Sequence, residues 1–214
     1  PFLFMEFNVE IVGKTIPLVG NGIETISDFL MYMAKVSNPK GQFKKTNLMK
    51  YLIDQKHWSP LDMANIQVEI EAPRDISRQI LRHQSARFQE FSQRYAQVQN
   101  FTLRELRRQD EENRQNSIDD FSKEDKNEFT LDCDMAINVA ELLYNKWLKR
   151  GAAKECARVF LPEGLTMSRI YMNGTIRTWY HYLDVRQGNG TQQEHIWVAN
   201  AIREKLHELE PELF

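Results

Sequence analysis

Apolar residues recur at helical spacing through most of this chain, whereas the alternation typical of a strand occurs only over 5–12, 66–70 and 168–172. Helices and strands therefore do not alternate regularly, which disfavours a doubly wound parallel sheet. We predict a helix-rich α+β fold with a small, mainly antiparallel sheet. No GxGxxG or GxxxxGK[ST] pattern occurs, so any nucleotide must bind without a dinucleotide fingerprint.

The longest predicted helix begins after Ser122, where the sequence SKED resembles a capping box, and it ends at Gly151. Its apolar stripe is formed by Phe129, Cys133, Ala136, Ile137, Ala140, Leu143, Tyr144 and Trp147. An apolar stripe of this kind is expected to face the core.

Six further helices are predicted, over 27–36, 46–56, 73–84, 153–160, 175–185 and 196–206. Leu48, Tyr51 and Leu52 are expected to point inward from the second of these. Pro73 is expected in the first turn of the third, and Thr175 is expected to cap the fifth.

The length of the chain limits the number of domains. At 214 residues, with 42% hydrophobic and 27% charged residues, the chain is long enough for one substantial core and too short for two. We therefore expect a single domain over 1–214. Within it, 97–121 is almost wholly polar, which predicts a surface excursion that is partly helical.

Charge and cysteine usage exclude several classes. The formal net charge of -2 disfavours binding of nucleic acid through a general positive field. Cys133 and Cys156 lie in stretches with helical apolar spacing, outside any Cys/His cluster, which predicts a reducing compartment, no disulfide and no metal site. The N-terminal PFLFMEF lacks a basic leader and is too short to span a bilayer. We therefore expect a cytoplasmic protein.

Charged and aromatic residues are concentrated between Arg82 and Tyr95, in the sequence RHQSARFQEFSQRY. On composition alone this segment is a solvated surface loop. Phe88, Phe91 and Tyr95 interleave with the charges, however, and are expected to hold the segment against a core. Guanidinium groups fixed in this way suit phosphate recognition, because their forked donors match phosphate oxygens.

Other charged residues have two interpretations each. Arg158 either pairs with Glu155 or Glu163 or contributes to an anion pocket. Arg186 is either a favourable cation at a helix C-terminus or part of that pocket. Glu90 orients an arginine, binds a ligand edge or forms a plain salt bridge. The residues alone thus indicate an α+β protein with a phosphate-bearing ligand.

A second hypothesis places binding on the predicted helix over 73–84. Arg74, Arg78 and Arg82 are spaced four apart there and share a face. Such a face is typical of a nucleotide- or nucleic-acid-binding module without catalysis, whose binding weakens with salt. The net charge and the interleaved aromatic residues argue against this hypothesis.

The segment after Arg82 resembles the signature of flavin-dependent thymidylate synthases, in which Arg-His-Arg is followed by seven residues and Ser. Here Arg82-His83-Gln84 is followed by seven residues and Ser92. Four further blocks resemble the family in the same order: AKVS at 34–37, HWSPLD at 57–62, ARVFLP at 157–162 and RTWYHYLDVR at 177–186. The resemblance therefore covers most of the chain.

This resemblance implies reductive methylation of dUMP to dTMP. It implies FAD as the cofactor, and NADPH and 5,10-methylenetetrahydrofolate as co-substrates. It further implies a homotetramer whose active sites draw residues from several subunits. The implied partners are therefore dUMP, a folate, a nicotinamide and other copies of the chain, with no nucleic acid and no membrane.

The resemblance also implies the residues of the site. The implied dUMP contacts are Gln79, Arg82, Glu90, Phe91, Ser92, Gln93, Arg94, Arg158 and Arg186. The implied FAD contacts are His57, Ser59, Arg82, His83, Gln84, Glu90, Arg177 and His181. Arg186 is the implied catalytic residue, because a guanidinium that stays protonated stabilises negative charge on the uracil. Ser92 is implied as a phosphate ligand rather than a nucleophile.

Gln84 departs from the family pattern. It replaces the last residue of Arg-His-Arg and so removes one cation from the expected flavin contacts. Arg87 stands where a small polar residue is usual, and we expect it to restore that charge from a neighbouring position. A third hypothesis follows, in which the chain keeps the fold but has lost the flavin.

Overall fold

A computed structural model of the chain describes residues 5–44, 46, 48–188 and 190–214. Most of the N-terminal apolar stretch, from Pro1 to Phe4, lies outside the described residues, as do Lys45, Asn47 and Asn189. The predicted start of a helix near 46 is therefore described only in part.

Six strands are present in the described residues: β1 (Asn8–Lys14), β2 (Asn65–Pro73), β3 (Arg87–Glu90), β4 (Arg108–Gln109), β5 (Ser117–Ile118) and β6 (Met167–Thr175). Four of them form one antiparallel sheet in the order β1-β2-β6-β3, while β4 and β5 form a separate hairpin. In the central pair, Val68 lies opposite Met172 and Ile70 lies opposite Ile170. All four side chains are fully buried, which explains the alternation along both strands.

Seven α-helices accompany the sheet in the described residues: α1 (Ile26–Ala34), α2 (Leu48–Asp54), α3 (Arg74–Ile80), α4 (Lys123–Lys149), α5 (Lys154–Ala157), α6 (Ile176–Arg186) and α7 (Gln193–Leu209). Thr25, Ser122 and Thr175 cap α1, α4 and α6, each accepting the backbone N–H three residues ahead at 3.0, 3.0 and 3.1 Å. Gly151 follows α4 with a φ of 89° and ends it. None of these helices has the length and hydropathy needed to cross a bilayer. The α+β prediction is confirmed, and the single domain stays a prediction.

The main core lies between one face of the sheet and helices α1, α3, α6 and α7. Trp179 of α6 is fully buried there, and its indole N–H donates to the backbone carbonyl of Ile66 at 3.3 Å. This bond satisfies the polar atom of a large ring inside the core. Gly174 of β6 makes room for the ring, because a Cβ at this position would lie 3.2 Å from Trp179 and 3.0 Å from the Thr178 methyl group.

A smaller cluster lies under α4. Tyr144 is buried with Val98 and Ala157, and its hydroxyl accepts the Val98 backbone N–H at 3.3 Å. Phe91 and Phe101 pack against this cluster from the side. It therefore connects α4 to the segment around 91–101 and to α5.

The predicted stripe of α4 is only partly inward. Three of its members are buried: Cys133, Ala140 and Tyr144. Ala136 and Trp147 are exposed, and the helix shows a largely exposed row formed by Leu131 (70%), Met135 (60%), Val139 (51%) and Leu142 (68%). The stripe therefore faces the core only over part of its length, because a helix of 27 residues extends well beyond a small cluster.

Two local predictions were wrong. Tyr51 is 54% exposed, because Met49 and not Tyr51 lies on the inward face of α2. Pro73 is the last residue of β2 and not part of a helix, since its missing N–H is tolerated at the strand end, and α3 stops at Ile80. Cys156, whose burial was not predicted, is exposed near the end of the short helix α5.

The polar segment over 97–121 contains no helix and is a surface excursion only in part. Thr102 is buried, and Phe101 forms a β-bridge with Thr166. Two arginines of the segment form ion pairs with three acids: Arg104 and Arg107 with Asp75, Glu105 and Glu194. The prediction was wrong for 101–107, because paired charges can be buried despite their polarity. The hairpin β4–β5 is exposed.

Replacing Gly174 with alanine should destabilise the fold, because the added methyl group would press on Trp179 in a closed core. We expect the free energy of unfolding to fall by about 1–3 kcal/mol in urea denaturation. Gly164→Ala is the matched control, since a Cβ at Gly164 meets no atom within 4 Å. Equal stability of the two variants would contradict this account of the packing.

Candidate active site

Helices α3 and α6 begin at opposite ends of the same antiparallel strand pair. A strand of nine residues spans about 30 Å, and helices of 7 and 11 residues are about 10 and 16 Å long. Their C-terminal ends therefore meet over the sheet. The turn after α3 carries Arg82 and His83, and the last turn of α6 carries Arg186.

Arg186 is half-buried and is held by two neutral groups. Its Nε donates to His83 Nε2 at 2.8 Å, and its Nη2 donates to the backbone carbonyl of Gln79 at 3.4 Å. Burial lowers the pKa of Arg186, and the charge of Arg82 lowers it further. Tyr182 acts in the opposite direction and raises this pKa. Within the described ranges, no carboxylate forms an ion pair with Arg186.

His83 is buried beside Arg186 and is neutral at physiological pH. Burial, followed by the charges of Arg186 and His181, lowers the pKa of His83 to about 4. Because the Arg186 N–H donates to Nε2, this nitrogen carries no proton and the ring N–H lies on Nδ1. The ring packs edge-on against Tyr182 and His181, with centroid distances of 4.9 and 6.3 Å.

Arg87 lies against the backbone of the signature turn. Its Nη1 donates to the carbonyl oxygens of Gln84 and Ala86 at 3.0 and 2.9 Å. The guanidinium that we expected to replace the missing cation is therefore fixed beside Gln84, whose own side chain is exposed. Compensation between these two residues stays a prediction.

The signature segment between Arg82 and Tyr95 is not one loop. Arg87–Glu90 forms β3, the edge strand beside β6. Phe88 packs on the main core and Phe91 on the smaller cluster, as expected. Tyr95 is 78% exposed, so the expectation that it anchors the segment was wrong.

Glu90, at the end of β3, is held by two donors. Arg74 Nη1 and Ser168 Oγ both donate to its Oε1 at 3.3 Å. Burial lowers the pKa of Arg74, and the charges of Arg78 and Arg158 lower it further. The Glu90 carboxylate acts in the opposite direction and raises this pKa. Glu90 and Arg158 thus both act on the charge of Arg74. Glu90 pairs with an arginine, Arg74, and its contact with a ligand stays a prediction.

Arg158 does not pair with Glu155 or Glu163. Glu155 pairs with Arg94 at 3.0 Å, and Glu163 forms an ion pair with Arg78. Over the part of the chain that the structure describes, no hydrogen bond reaches the half-buried Arg158 guanidinium. This side chain is therefore available to bind an anion.

The arginine face of α3 is not an open cationic surface. Arg74 lies 3.3 Å from the Glu90 carboxylate and 3.9 Å from that of Glu163, which also meets Arg78. Of the three arginines, only Arg82 is left without an acidic partner among the described residues. This pairing argues against the nucleic-acid hypothesis.

A tight turn after β3 carries Ser92, Gln93 and Arg94. Ser92 Oγ accepts the Arg94 backbone N–H at 3.3 Å. Gln93 is buried, and its Nε2 has no hydrogen-bond partner in the described residues. Such an unpaired buried donor costs about 1–3 kcal/mol. It marks a place where a ligand or another subunit is expected to supply an acceptor.

A cavity of about 700 Å³ lies beside α6. Its lining includes Trp58, Tyr180 and His181, together with Arg177, whose Nη1 donates to Asp62 Oδ2 at 3.1 Å. Aromatic walls with basic groups suit a planar, phosphate-bearing heterocycle. The His181 ring also contacts the ring of His83, so the cavity adjoins the pair formed by His83 and Arg186.

The remaining implied FAD residues are less close to this cavity. His57 and Ser59 are exposed and do not line it, although Trp58 between them does. The His57 ring packs edge-on against Tyr51 at 5.9 Å. Their assignment stays a prediction.

The structure thus gathers the implied residues into two groups. Gln79, His83 and Arg186 are in direct contact, and Arg82 lies near them. The second group contains Glu90 and Arg158, because Glu90 bonds to Arg74 and the charge of Arg158 acts on the same arginine. In the described residues, Arg158 of this group makes no contact with Arg186 of the first group.

Sequence reasoning missed four residues that hold the site: Asp62, Arg74, Ser168 and His195. Arg74 was recognised only for its spacing on the helix, and Asp62 only as part of a turn. Nothing in the local sequence around Ser168 or His195 marks a contact with a residue about eighty or more positions away.

Comparison with known proteins gives consistent matches. The family model described as Thymidylate synthase complementing protein matches residues 24–212. The chain is 43% identical over 201 residues to the "Probable flavin-dependent thymidylate synthase" of Paramecium bursaria Chlorella virus 1, covering 92% of each chain. It is 41% identical over 195 residues to the flavin-dependent thymidylate synthase of Synechocystis sp., covering 91% of this chain and 87% of that relative.

A solved structure is similar in fold. The UMP/dUMP methylase PolB from Streptomyces cacaoi, bound with 5-Br dUMP, superposes with a TM-score of 0.82 at 24% sequence identity. The match covers 98% of this chain and 93% of the other. At this level of identity the likeness concerns the fold.

Two buried histidines should make the stability of the fold depend on pH. Burial and neighbouring cations lower the pKa of His83 to about 4 and that of His195 to about 3, against about 6.5 in an unfolded chain. Between about pH 6.5 and 4 the unfolded chain therefore binds more protons than the folded one. The free energy of unfolding should fall as the pH is lowered through this window, by at most about 1.4 kcal/mol per pH unit for each histidine.

The measurement is urea denaturation at pH 7, 5.5 and 4.5. His195→Asn should reduce the pH dependence, whereas the control His57→Asn, at an exposed histidine, should leave it unchanged. If the free energy of unfolding changed equally with pH in the wild type and in His195→Asn, a buried neutral His195 would be contradicted.

Proposed function

The chain belongs to the flavin-dependent thymidylate synthase family, and from that premise we propose that it methylates dUMP to dTMP with FAD, NADPH and 5,10-methylenetetrahydrofolate. One observation carries the proposal. Arg186 is a half-buried cation that is oriented by a neutral histidine and has no acidic partner in the described ranges. A buried charge without a counter-charge is costly, so this arrangement favours an anionic ligand.

The proposed dUMP site unites both groups of residues. Arg82, Arg94 and Arg158 are proposed to bind the phosphate with Ser92, because forked donors match phosphate oxygens. The unpaired Nε2 of Gln93 supports a ligand at this turn, since an acceptor there would satisfy it. The other proposed dUMP contacts are Gln79, Glu90, Phe91 and Arg186.

The cavity beside α6 is the proposed flavin site. Its volume of about 700 Å³ and its aromatic walls fit a planar heterocycle, and Arg177 and His181 supply polar contacts. The further residues proposed to hold FAD are His57, Ser59, Arg82, His83, Gln84 and Glu90. When bound, FAD supplies the hydride that completes the methyl group.

The protein's own residues act on the pyrimidine. Arg186 is proposed to stabilise the negative charge that develops on the uracil as the methylene group is transferred. His83 keeps the guanidinium in one orientation without cancelling its charge. A cysteine nucleophile is not required, and burial raises the pKa of Cys133, which disfavours the thiolate that such a nucleophile needs.

A homotetramer with shared active sites is also proposed, in the cytoplasm. The exposed row Leu131, Met135, Val139 and Leu142 on α4 supports contact with another copy of the chain, because apolar side chains in one row favour burial. Arg158 and Arg186 make no contact with each other in the described residues, which agrees with a neighbouring subunit completing either group. The two cysteines without disulfides agree with a reducing compartment.

Tritium release from [5-³H]dUMP in the presence of FAD, NADPH and methylenetetrahydrofolate tests the activity. The wild type should release tritium as the methyl group replaces the proton at C5. Arg186→Ala should lower kcat by about 10²–10³-fold, the loss typical of removing one electrostatic contact to developing charge. Arg203→Ala, at an exposed arginine of α7, is the control and should stay active. No release by the wild type, or full activity of Arg186→Ala, would refute the proposal.

FAD titration tests the compensation between Gln84 and Arg87. The purified protein should be yellow, and Gln84→Arg should bind FAD more tightly because it adds a cation. Arg87→Gln should weaken FAD binding by about one to two decades, the equivalent of one charge-assisted hydrogen bond. Arg108→Gln, in the exposed hairpin, is the matched control. Unchanged FAD affinity in both signature variants would show that this turn does not face the flavin, and a colourless wild type would favour the third hypothesis.

A further inference from the structure

The side chain of Gln79 is bonded at both ends by residues that precede or begin α7. Its Oε1 lies 3.2 Å from His195 Nδ1, and its Nε2 donates to Gln192 Oε1 at 2.7 Å. Gln192 Nε2 in turn donates to Glu194 Oε2 at 3.0 Å. On the other side, Tyr182 Oη lies 3.1 Å from His195 Nε2. These contacts form an unbroken chain, Tyr182–His195–Gln79–Gln192–Glu194, which we call the α7 relay.

The charge of Glu194 fixes the direction of every hydrogen bond in the α7 relay. Burial opposes ionisation of Glu194, but the hydrogen bond from Arg107 and the charges of Arg104 and Arg107 outweigh it and lower the pKa. An ionised carboxylate only accepts, so Gln192 must present its N–H to Glu194 and its oxygen to Gln79. Gln79 must then present its own oxygen to His195.

The same logic fixes the tautomer of His195. Because Gln79 Oε1 only accepts, the ring N–H of His195 lies on Nδ1 and the bare Nε2 accepts from the Tyr182 hydroxyl. His195 is fully buried, and the low pKa of its ring agrees with a neutral imidazole that carries one N–H. Each polar group of the relay has a partner, so reversing one member would leave a buried donor facing a donor or an acceptor facing an acceptor.

We propose that His195 and Gln192 are positioning residues that lock the amide of Gln79 in one orientation and leave its second N–H as a donor to the nucleotide. This inference rests on the proposed function, in which Gln79 contacts dUMP. The second Nε2 hydrogen has no acceptor within the described residues. Gln79 therefore selects an acceptor atom on the ligand, a carbonyl or phosphate oxygen, and not an N–H group.

A pair of substitutions at His195 separates positioning from mere packing. Asparagine places an N–H near the position of Nδ1, so His195→Asn keeps the donor to Gln79 and leaves the Tyr182 hydroxyl without its acceptor. Glutamine places its amide near the position of Nε2, so His195→Gln keeps a partner for Tyr182 and removes the donor to Gln79. Both variants lose one buried hydrogen bond, but only one of them releases the Gln79 amide.

Calorimetric titration of the FAD-loaded protein with dUMP gives the affinity, and the thermal midpoint is measured on the same samples. His195→Gln should raise the Kd for dUMP about tenfold, while His195→Asn should stay within about threefold of the wild type. A purely structural role would instead make both Kd values follow the loss of thermal stability. Equal Kd values in the two variants would overturn the proposal.

Gln192 offers a second test should the histidine variants not fold, since it is only half-buried. Gln192→Ala should raise the Kd several-fold, and Gln193→Ala, the same change at the adjacent position, should not. If Gln192→Ala and Gln193→Ala bind dUMP alike, the relay does not position Gln79.

Nitrogen-15 NMR of the histidine side chains tests the relay without any ligand. The wild type should show a slowly exchanging Nδ1–H signal from His195, besides that of the buried His83. The His195 signal should disappear in His195→Asn and survive in His207→Asn, at an exposed histidine of the same helix. A proton on Nε2 of His195 would overturn the directional chain. Failure of the wild type to bind dUMP, with this signal present, would refute the proposed function and the ligand-facing role of Gln79 but not the relay itself.

Discussion

The antiparallel pairing of β2 with β6 is the constraint on which the site depends. A slip of one residue would turn Ile70 and Ile170 out of the core, so the apolar face of both strands enforces a single register. That register sets where α3 and α6 start and therefore how closely their last turns approach each other. The contact between Arg186 and His83 is thus determined by strand pairing and not by any local sequence.

Elements that are determined by residues close together in the sequence were predictable. The alternation of Ile66, Val68 and Ile70 gave β2, and the capping residue Ser122 gave the start of α4. Failures occurred where distant partners decide the outcome. Composition marked 101–107 as solvated, yet acids from α3 and α7 neutralise Arg104 and Arg107 and draw the segment inward. Periodicity likewise cannot tell which part of an apolar stripe has a core beneath it, as α4 shows.

The site likewise has features that nearby residues determine and features that distant residues determine. The family resemblance of the signature and of the 177–186 block was enough to predict that Arg82, His83 and Arg186 belong to one site. The structure brings His83 and Arg186 into contact, with Arg82 near them. The residues that hold them came from elsewhere in the chain. Ser168 reaches Glu90 across the sheet, and His195 reaches Gln79 from another helix. Such contacts depend on tertiary structure, and a serine or histidine within an ordinary strand or helix gives no local sign of them.

The neutral ring of His83 has a consequence for how a substrate arrives. A carboxylate in its place would hold the guanidinium of Arg186 just as firmly, but it would set up an opposing field at the mouth of the site. With an uncharged imidazole, the positive potential of Arg186 and the nearby Arg82 extends into solvent within the screening length of the medium. This potential attracts the negatively charged phosphate of a nucleotide before any contact forms. The association rate of the nucleotide should therefore decline as ionic strength rises.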